Sequence, residues 1–162
     1  KAAQDSGYKG TFFTYYLGSQ DVIEGLGKGG EGYAQITEYH ANLGVPELEK
    51  LADEYEGKYH QKYYYWRISE MIDMLAAAMK QADSSDPAKV GQVLSTMRWK
   101  GPLGELTMRE DNHQLLQPMF VSVLAPGMRY TFPENHLGFK TISRIEPEAQ
   151  RLPTTCKMQP PS

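Results

Sequence analysis

The chain has 162 residues, of which 17 are basic and 20 acidic, so its formal charge is −3. That length is sufficient for one ordinary domain, and the hydrophobic share of 40% excludes a disordered chain. The slight acidic excess disfavours nucleic acid or an anionic membrane surface as a partner. No apolar run reaches the roughly 18 residues of a membrane span. The lone Cys156 excludes an internal disulfide framework.

The N-terminal residues have the pattern of a helix that has lost its beginning. The chain starts with Lys1 rather than Met, and good helix formers lead into Gly7, which suits the left-handed position after a helix end. We therefore expect this chain to be a piece of a longer protein that is truncated at its N-terminus.

The next segment has the pattern of a strand–helix–strand unit. Thr11–Leu17 is an aromatic and β-branched run typical of a strand buried on both faces. A short helix follows between Ser19 and Leu26, and Tyr33–Tyr39 is the next predicted strand. Because strands joined through one helix run parallel, this pattern predicts an α/β fold with a parallel sheet.

Residues 41–46 form a predicted linker, and helical patterns follow it. Pro46 suits the first turn of one helix. The strongest helix prediction covers Tyr63–Ala82, where apolar side chains recur at helical spacing, and a third helix begins near Pro87.

Two further strands are predicted near the C-terminal end. Glu105–Arg109 and Pro118–Leu124 have strand composition and are separated by a polar loop, residues 110–117. From Pro126 onward the sequence is rich in proline, and we expect little regular structure there.

The candidate catalytic motifs do not predict an enzyme. The letters GxGxxG occur at residues 25–30, but these glycines follow a helix and precede a strand, so no helix N-terminus would face a phosphate. The histidines lack metal-ligand spacing, and no GxSxG nucleophile elbow is present. Glu110, Asp111 and His113 could do acid–base work, although a solvated loop is the simpler interpretation. We therefore predict no catalytic residues, no metal and no cofactor.

Two aromatic clusters indicate binding instead. Tyr15 and Tyr16 precede Leu17 and Gly18 at the carboxyl end of the first strand, where open α/β sheets place their ligands. Residues 63–66 are four consecutive aromatics at the predicted start of the strongest helix, so at least one ring should lie off the core face. The alternative is that all these rings fill the core between layers.

The ordered series of these segments resembles one family, the periplasmic solute-binding proteins of branched-chain amino acid type ABC importers, and specifically their C-terminal half. The likeness covers about residues 1–125. It is carried by residues 2–12, 30–32, 66–82, 85–90, 101–104 and 117–124.

The resemblance implies a type I periplasmic-binding-protein fold with two α/β lobes, parallel sheets flanked by helices, and hinge closure on a solute. Residues 1–40 would belong to lobe two, residues 41–116 to lobe one, and residues 117–162 would return to lobe two and end in an irregular tail. The remainder of both lobes would be a missing N-terminal half.

The resemblance also implies a ligand site and partners. The ligand-binding residues would be Tyr15, Tyr16, Leu17, Gly18 and Tyr64. Relatives that bind amino acids carry an acid near Tyr16, and no acid stands between Phe12 and Gln20 here, so a planar or aromatic carboxylate or an amide becomes a candidate beside an amino acid-like solute.

The implied protein is an exported periplasmic monomer that delivers a small-molecule solute to an ABC permease and ATPase, with a cysteine upstream as the partner of Cys156. The alternatives are a ligand-sensing regulator of the same fold or, less favoured, a doubly wound α/β enzyme.

Overall fold

A computed structural model describes residues 5–156 and 158. The helices and strands, in chain order, are β1 (Phe13–Thr14), α1 (Gln20–Leu26), β2 (Ala34–Thr37), α2 (Pro46–Tyr59), α3 (Trp66–Ala82), α4 (Pro87–Ser95), β3 (Arg98–Gly101), β4 (Gly104–Met108), β5 (Leu115–Leu116), β6 (Met119–Ala125), β7 (Gly138–Ile145) and a 3-10 helix (Pro147–Gln150).

The chain folds as two compact units, which differ in extent from the predicted lobes. The first unit comprises the described residues up to Tyr64 together with Phe120–Arg144, and the second comprises the remainder. The predicted lobes, divided after residue 40, stay a prediction. Helix α2 stays with the first unit because the Tyr55 ring packs 5.1 Å from that of Tyr63, and Arg129 pairs with Glu49.

The first unit contains a four-stranded mixed sheet in the order β1-β2-β6-β7. Strands β1 and β2 are parallel, with Phe13 opposite Ala34, so the predicted strand–helix–strand unit is confirmed. The prediction that the whole sheet is parallel is wrong, because β6 pairs antiparallel with β2. Strand β6 follows the second unit in the chain rather than a crossover helix, so the rule for parallel crossovers does not govern its direction.

Strand β1 is much shorter than the predicted Thr11–Leu17. The chain turns directly after Thr14, and the Ser19 amide donates to the Tyr16 carbonyl oxygen at 3.2 Å. This turn places Leu17 in the hydrophobic core of the first unit. That core consists of Leu17, Ile23, Leu124, Phe132, Leu137 and Phe139.

The expectation of little regular structure from Pro126 onward is wrong for residues 138–150, although residues 126–137 and 151–156 form no helix or strand. Residues 138–145 form β7, the longest strand of its sheet. Pro133 and Pro147 flank this strand without interrupting it, and its interior carries the β-branched Thr141 and Ile142. Proline ends strands because it cannot donate to the ladder, but it does not prevent a strand between two prolines.

Helix α3 begins at Trp66, three residues later than predicted, and Tyr65 occupies its N-cap position. Tyr65 is 52% exposed, as expected for at least one ring of this cluster. Helix α4 begins as its sequence predicts: Asp86 accepts hydrogen bonds from the backbone N–H groups of Ala88 and Lys89, both at 3.1 Å.

The second unit has a separate antiparallel sheet in the order β3-β4-β5. Strand β3 was not predicted. The Gly101–Gly104 segment is the turn of the β3–β4 hairpin. Strands β4 and β6 belong to different sheets, so the predicted loop between them is not a simple hairpin connection.

The polar loop is organised around a buried cation. Arg109, whose side chain is 4% exposed, donates through Nε and Nη2 to the two oxygens of Asp111 at 2.8 and 2.6 Å. It also donates to the carbonyl oxygen of Leu152 at 2.9 Å. The hydrogen bond from Arg109 lowers the pKa of Asp111. Asp111 thus holds Arg109 in place for its contact with the tail.

The core of the second unit lies between α3, α4 and β4. It consists of Met74, Ala78, Val90, Met97 and Leu106. None of the described helices is long and apolar enough to cross a lipid bilayer. The predicted helix end before Gly7 falls largely outside the described residues, although Gly7 itself has a φ of +74°.

Candidate functional site

The predicted ligand residues lie at the carboxyl ends of β1 and β2. Parallel neighbouring strands bring their carboxyl ends to the same edge of a sheet, and open α/β sheets hold their ligands there. The segment after β1 supplies residues 15–18, and the segment after β2 supplies residues 38–42. Both segments belong to the first unit.

Four of the five predicted residues come together. The Tyr64 hydroxyl lies 3.4 Å from the carbonyl oxygen of Tyr15 and donates to it. The Tyr15 and Tyr16 rings form an edge-to-face pair with centroids 5.1 Å apart, and Tyr16 is 57% exposed. The aromatic side chains that the sequence singled out therefore form one cluster with Gly18.

Gly18 permits the close approach of Tyr64. A Cβ atom at this position would stand 3.2 Å from Cε2 of Tyr64 and 3.0 Å from Cε2 of Phe139. Both distances are tighter than ordinary carbon contacts, so any side chain here would push the two rings away. The glycine thus allows the Tyr64 ring to lie close to the end of β1.

Leu17 differs from the other predicted residues. Its side chain is 2% exposed and packs against Ile23 and Leu124 in the hydrophobic core. Only its backbone is available to a ligand.

A buried carboxylate, Glu38, was missed by the sequence analysis. This residue directly follows β2 in the chain and is 3% exposed. Its Oε2 accepts a hydrogen bond from the Tyr15 hydroxyl at 2.7 Å. This distance is that of a well-formed O–H···O hydrogen bond. The cluster therefore contains an acid, although none occurs between Phe12 and Gln20.

A signal for Glu38 was present in the sequence. The segment after the second predicted strand reads Glu38, Tyr39, His40, and these polar residues stand at the carboxyl end of a strand parallel to the first. The same topological rule applied to both strands would have found Glu38.

His40 is held neutral beside this cluster. Its ring accepts the Asn42 N–H at Nδ1, 3.2 Å away, so Nε2 carries the proton and donates to Oγ1 of Thr141 at 2.8 Å. The residue is 4% exposed, and burial lowers its pKa to about 4. Burial likewise raises the pKa of the Tyr39 hydroxyl, so both groups are uncharged near neutral pH.

A small cavity within the first unit adjoins this cluster. It has a volume of about 40 Å³, which accommodates a few water molecules but not an amino acid. Gln35, 1% exposed, lines it, and its Oε1 accepts no hydrogen bond from a described residue. The lining residues are Gly18, Gln35, Tyr39, His40, Ala41, Asn42, Ala52, Glu56, Lys62, Tyr63, Tyr64, Tyr130, Thr131, Phe132 and Phe139.

Residues 1–127 match the model of the family described as periplasmic binding protein. No curated protein sequence is significantly similar to the chain. Solved structures share its fold. The leucine-, isoleucine-, valine-, threonine- and alanine-binding protein from Brucella ovis, in a closed conformation, aligns with a TM-score of 0.85 at 21% identity, over 99% of this chain and 43% of that chain.

Two further structures show the range of similar proteins. The amino acid ABC transporter substrate-binding protein from Pseudomonas fluorescens Pf-5 has a TM-score of 0.70 and 20% identity, over 97% of this chain and 43% of that one. A solute-binding protein of an ABC transporter from Rhodopseudomonas palustris BisB5, in complex with 3,4-dihydroxybenzoic acid, has a TM-score of 0.63 and 12% identity, over 89% and 40%. The chain thus spans less than half the length of these proteins.

Proposed function

Because the chain belongs to the periplasmic binding protein family, we propose that it is the C-terminal part of an extracytoplasmic solute-binding protein of an ABC importer. The complete receptor would hold a small organic solute between two lobes and close about a hinge. The solute is amino acid-like, or an aromatic or aliphatic carboxylate or amide. The chain performs no chemistry on it.

The observation that carries this proposal is the cluster joined by Tyr15. Its hydroxyl binds the Glu38 carboxylate and its carbonyl oxygen accepts from Tyr64, so a charged group, a polar backbone atom and two aromatic faces occupy one sheet edge. Such a combination of apolar walls and few placed polar groups is typical of small-molecule sites. Tyr64 and Tyr16 would contact the solute's apolar body, and Glu38 would accept from a donor group.

The proposed mechanism is a population shift. A solute that contacts both lobes binds the closed form better than the open form, and it can shift the equilibrium only by that difference in affinity. The closed form would then dock on the permease and ATPase in the membrane. The complete receptor would be a periplasmic monomer that includes the missing N-terminal half.

A thermal-shift screen of the full polypeptide that carries this chain tests the proposal. The panel comprises branched-chain and other neutral amino acids, hydroxybenzoic acids and their amides. We expect at least one class to raise Tm in proportion to the logarithm of its concentration, as binding to the folded state requires. No stabilisation by any class would overturn the proposal.

Two substitutions then test the cluster. Tyr64→Ala should weaken binding of the identified solute by about tenfold or more, because a large aromatic contact is lost. Glu38→Gln should weaken amine-bearing solutes much more than hydroxybenzoic acids, since only the former need the negative charge. Tyr59→Phe, at a half-exposed ring on α2, serves as the control and should leave affinity unchanged.

A further inference from the structure

The small cavity beside the aromatic cluster has a buried acceptor in its wall that no described residue uses. Gln35 lies on β2, is 1% exposed and lines this cavity, which we name the Gln35 cavity. Its Oε1 accepts no hydrogen bond from a described residue. A buried carbonyl oxygen without a partner is costly, and native proteins rarely keep one. Such an atom in the wall of a cavity indicates that the cavity receives a donor group.

The orientation of the Gln35 amide follows from its neighbour on β2. The Thr37 hydroxyl donates its one proton to the carbonyl oxygen of Tyr39 at 2.9 Å. Toward Gln35 this hydroxyl can therefore only accept, and Nε2 of Gln35 lies 3.5 Å from it as the donor. Because the amide nitrogen is used by Thr37, Oε1 is the atom of Gln35 that can serve a group in the cavity.

The walls of the Gln35 cavity favour a neutral group over a charged one. His40 and Tyr39 line the cavity, and both are uncharged near neutral pH because burial shifts their pKa values. The charged residues of the lining are Glu56 and Lys62, which pair with each other at 2.5 Å. A charged group would therefore be buried without a counter-ion of its own. That is far more costly than burying a neutral donor that has a hydrogen-bond partner.

The Gln35 cavity has room for one end of a solute and lies next to the candidate site. Its volume of about 40 Å³ accommodates a few non-hydrogen atoms. Gly18 and Tyr64 line the cavity and also belong to the aromatic cluster. A Cβ atom at Gly18 would lie 3.0 Å from Phe139 and 3.2 Å from Tyr64, and both rings are cavity walls. A group on a solute that lies against Tyr64 is therefore adjacent to the cavity.

We propose that the Gln35 cavity is a subsite for a neutral hydrogen-bond donor at one end of the solute, either a hydroxyl or a primary carboxamide. The group donates to Oε1 of Gln35, while the body of the solute lies against Tyr64. This inference rests on the proposed function, which supplies the solute. It narrows the chemical class, because a solute with a hydroxyl or carboxamide end binds better than an analogue of the same shape without the donor.

Matched pairs of probes test the subsite by isothermal titration calorimetry of the full polypeptide that carries this chain. The pairs are threonine with valine, 4-hydroxybenzoic acid with 4-methylbenzoic acid, and 4-carbamoylbenzoic acid with 4-acetylbenzoic acid. The members of a pair have similar shapes, and only the first carries the donor. We expect the first member of at least one pair to bind about tenfold or more tightly, because its analogue leaves the Gln35 acceptor unsatisfied. The second and third pairs distinguish a hydroxyl from a carboxamide.

Substitutions assign the preference to the cavity. Gln35→Met has nearly the same length and no acceptor, so it should reduce the preference within the pair to about onefold and change the affinity for the analogue by less than about threefold. Gln61→Met makes the same exchange at an exposed residue outside the cavity and should keep the full preference. Ala52→Val narrows the cavity from α2 and should weaken the donor-bearing probe about tenfold, which provides a second test if Gln35→Met does not fold.

The thermal-shift screen described above decides the proposed function, and the matched pairs decide the subsite. If the screen finds a solute but no pair shows a preference for its donor-bearing member, the subsite is wrong and the proposed function stands. A preference that persists in both Gln35→Met and Ala52→Val would also overturn the subsite, because the donor would then be recognised elsewhere. Absence of any solute in the screen would overturn both.

Discussion

The hydrophobic cores of the two units differ in how completely they are enclosed. In the first unit, Phe132 and Phe139 pack edge to face at 5.8 Å and close over Leu17 and Ile23. In the second unit, α3 buries Met74 but leaves a second set of apolar side chains 39–58% exposed, namely Ile68, Met71, Ile72, Leu75 and Met79. The comparison shows that a helix can bury one apolar stripe in a core and leave a second stripe exposed.

The largest expected effect concerns two methionines of helix α3, one buried and one exposed. Met74→Ala should destabilise the second unit by about 2–4 kcal/mol, because it removes a buried side chain and leaves a cavity. Met71→Ala, one turn away and 58% exposed, should cost no more than about 0.5 kcal/mol. Urea titration followed by hydrogen exchange of the α3 and α4 amides measures both. Similar losses for the two variants would mean that Met71 is as buried in solution as Met74.

Much of the local structure could be predicted from the sequence, because it depends on local patterns. The spacing of apolar residues in α3, the Asp86–Pro87 start of α4, and the glycines between α1 and β2 each determine their own segment. The residues that cover a given helix face are distant in the chain, or absent from it. The helical period of α3 therefore predicted a helix, but it did not reveal that its most regular apolar stripe would be exposed.

The candidate site was predicted incompletely for a related reason. Tyr15, Tyr16, Gly18 and Tyr64 were found from strand ends, aromatic clusters and the family resemblance, and the structure brings them together. Glu38 lies 23 residues beyond Tyr15, so only the parallel pairing of β1 and β2 places the two side chains in contact. Strand β7 escaped prediction because the surrounding prolines dominate the composition of the tail.

The second prediction concerns the polar interior of the first unit. The folded-state pKa of His40 is about 4, below its ordinary value of 6.5. The unfolded chain therefore binds the proton more tightly, so stability is fully present above pH 6.5 and is lost as the pH falls toward 4. We expect a loss on the order of 2 kcal/mol between pH 6.5 and 5.

Unfolding of the first unit at a series of pH values measures this loss. His40→Gln should flatten the dependence in that window, whereas His60→Gln, at an exposed residue, should leave it intact. An unchanged slope in His40→Gln would show that another group of the first unit titrates there. The second unit should show a smaller dependence in this window, because its described residues include no buried histidine.

The smallest expected effect separates two adjacent tyrosines of the first unit. Tyr15→Phe removes the hydroxyl that donates to the buried Glu38 carboxylate, and the lost hydrogen bond should cost about 1–2 kcal/mol. Tyr16→Phe removes the hydroxyl of a ring that is 57% exposed. Water can hydrogen-bond in place of that hydroxyl, so the loss of unfolding free energy should be near zero. Paired urea titrations of the two variants resolve this difference. Equal losses would show that Glu38 is not stabilised through Tyr15, and the charged anchor of the proposed solute site would then have to be positioned by another part of the molecule.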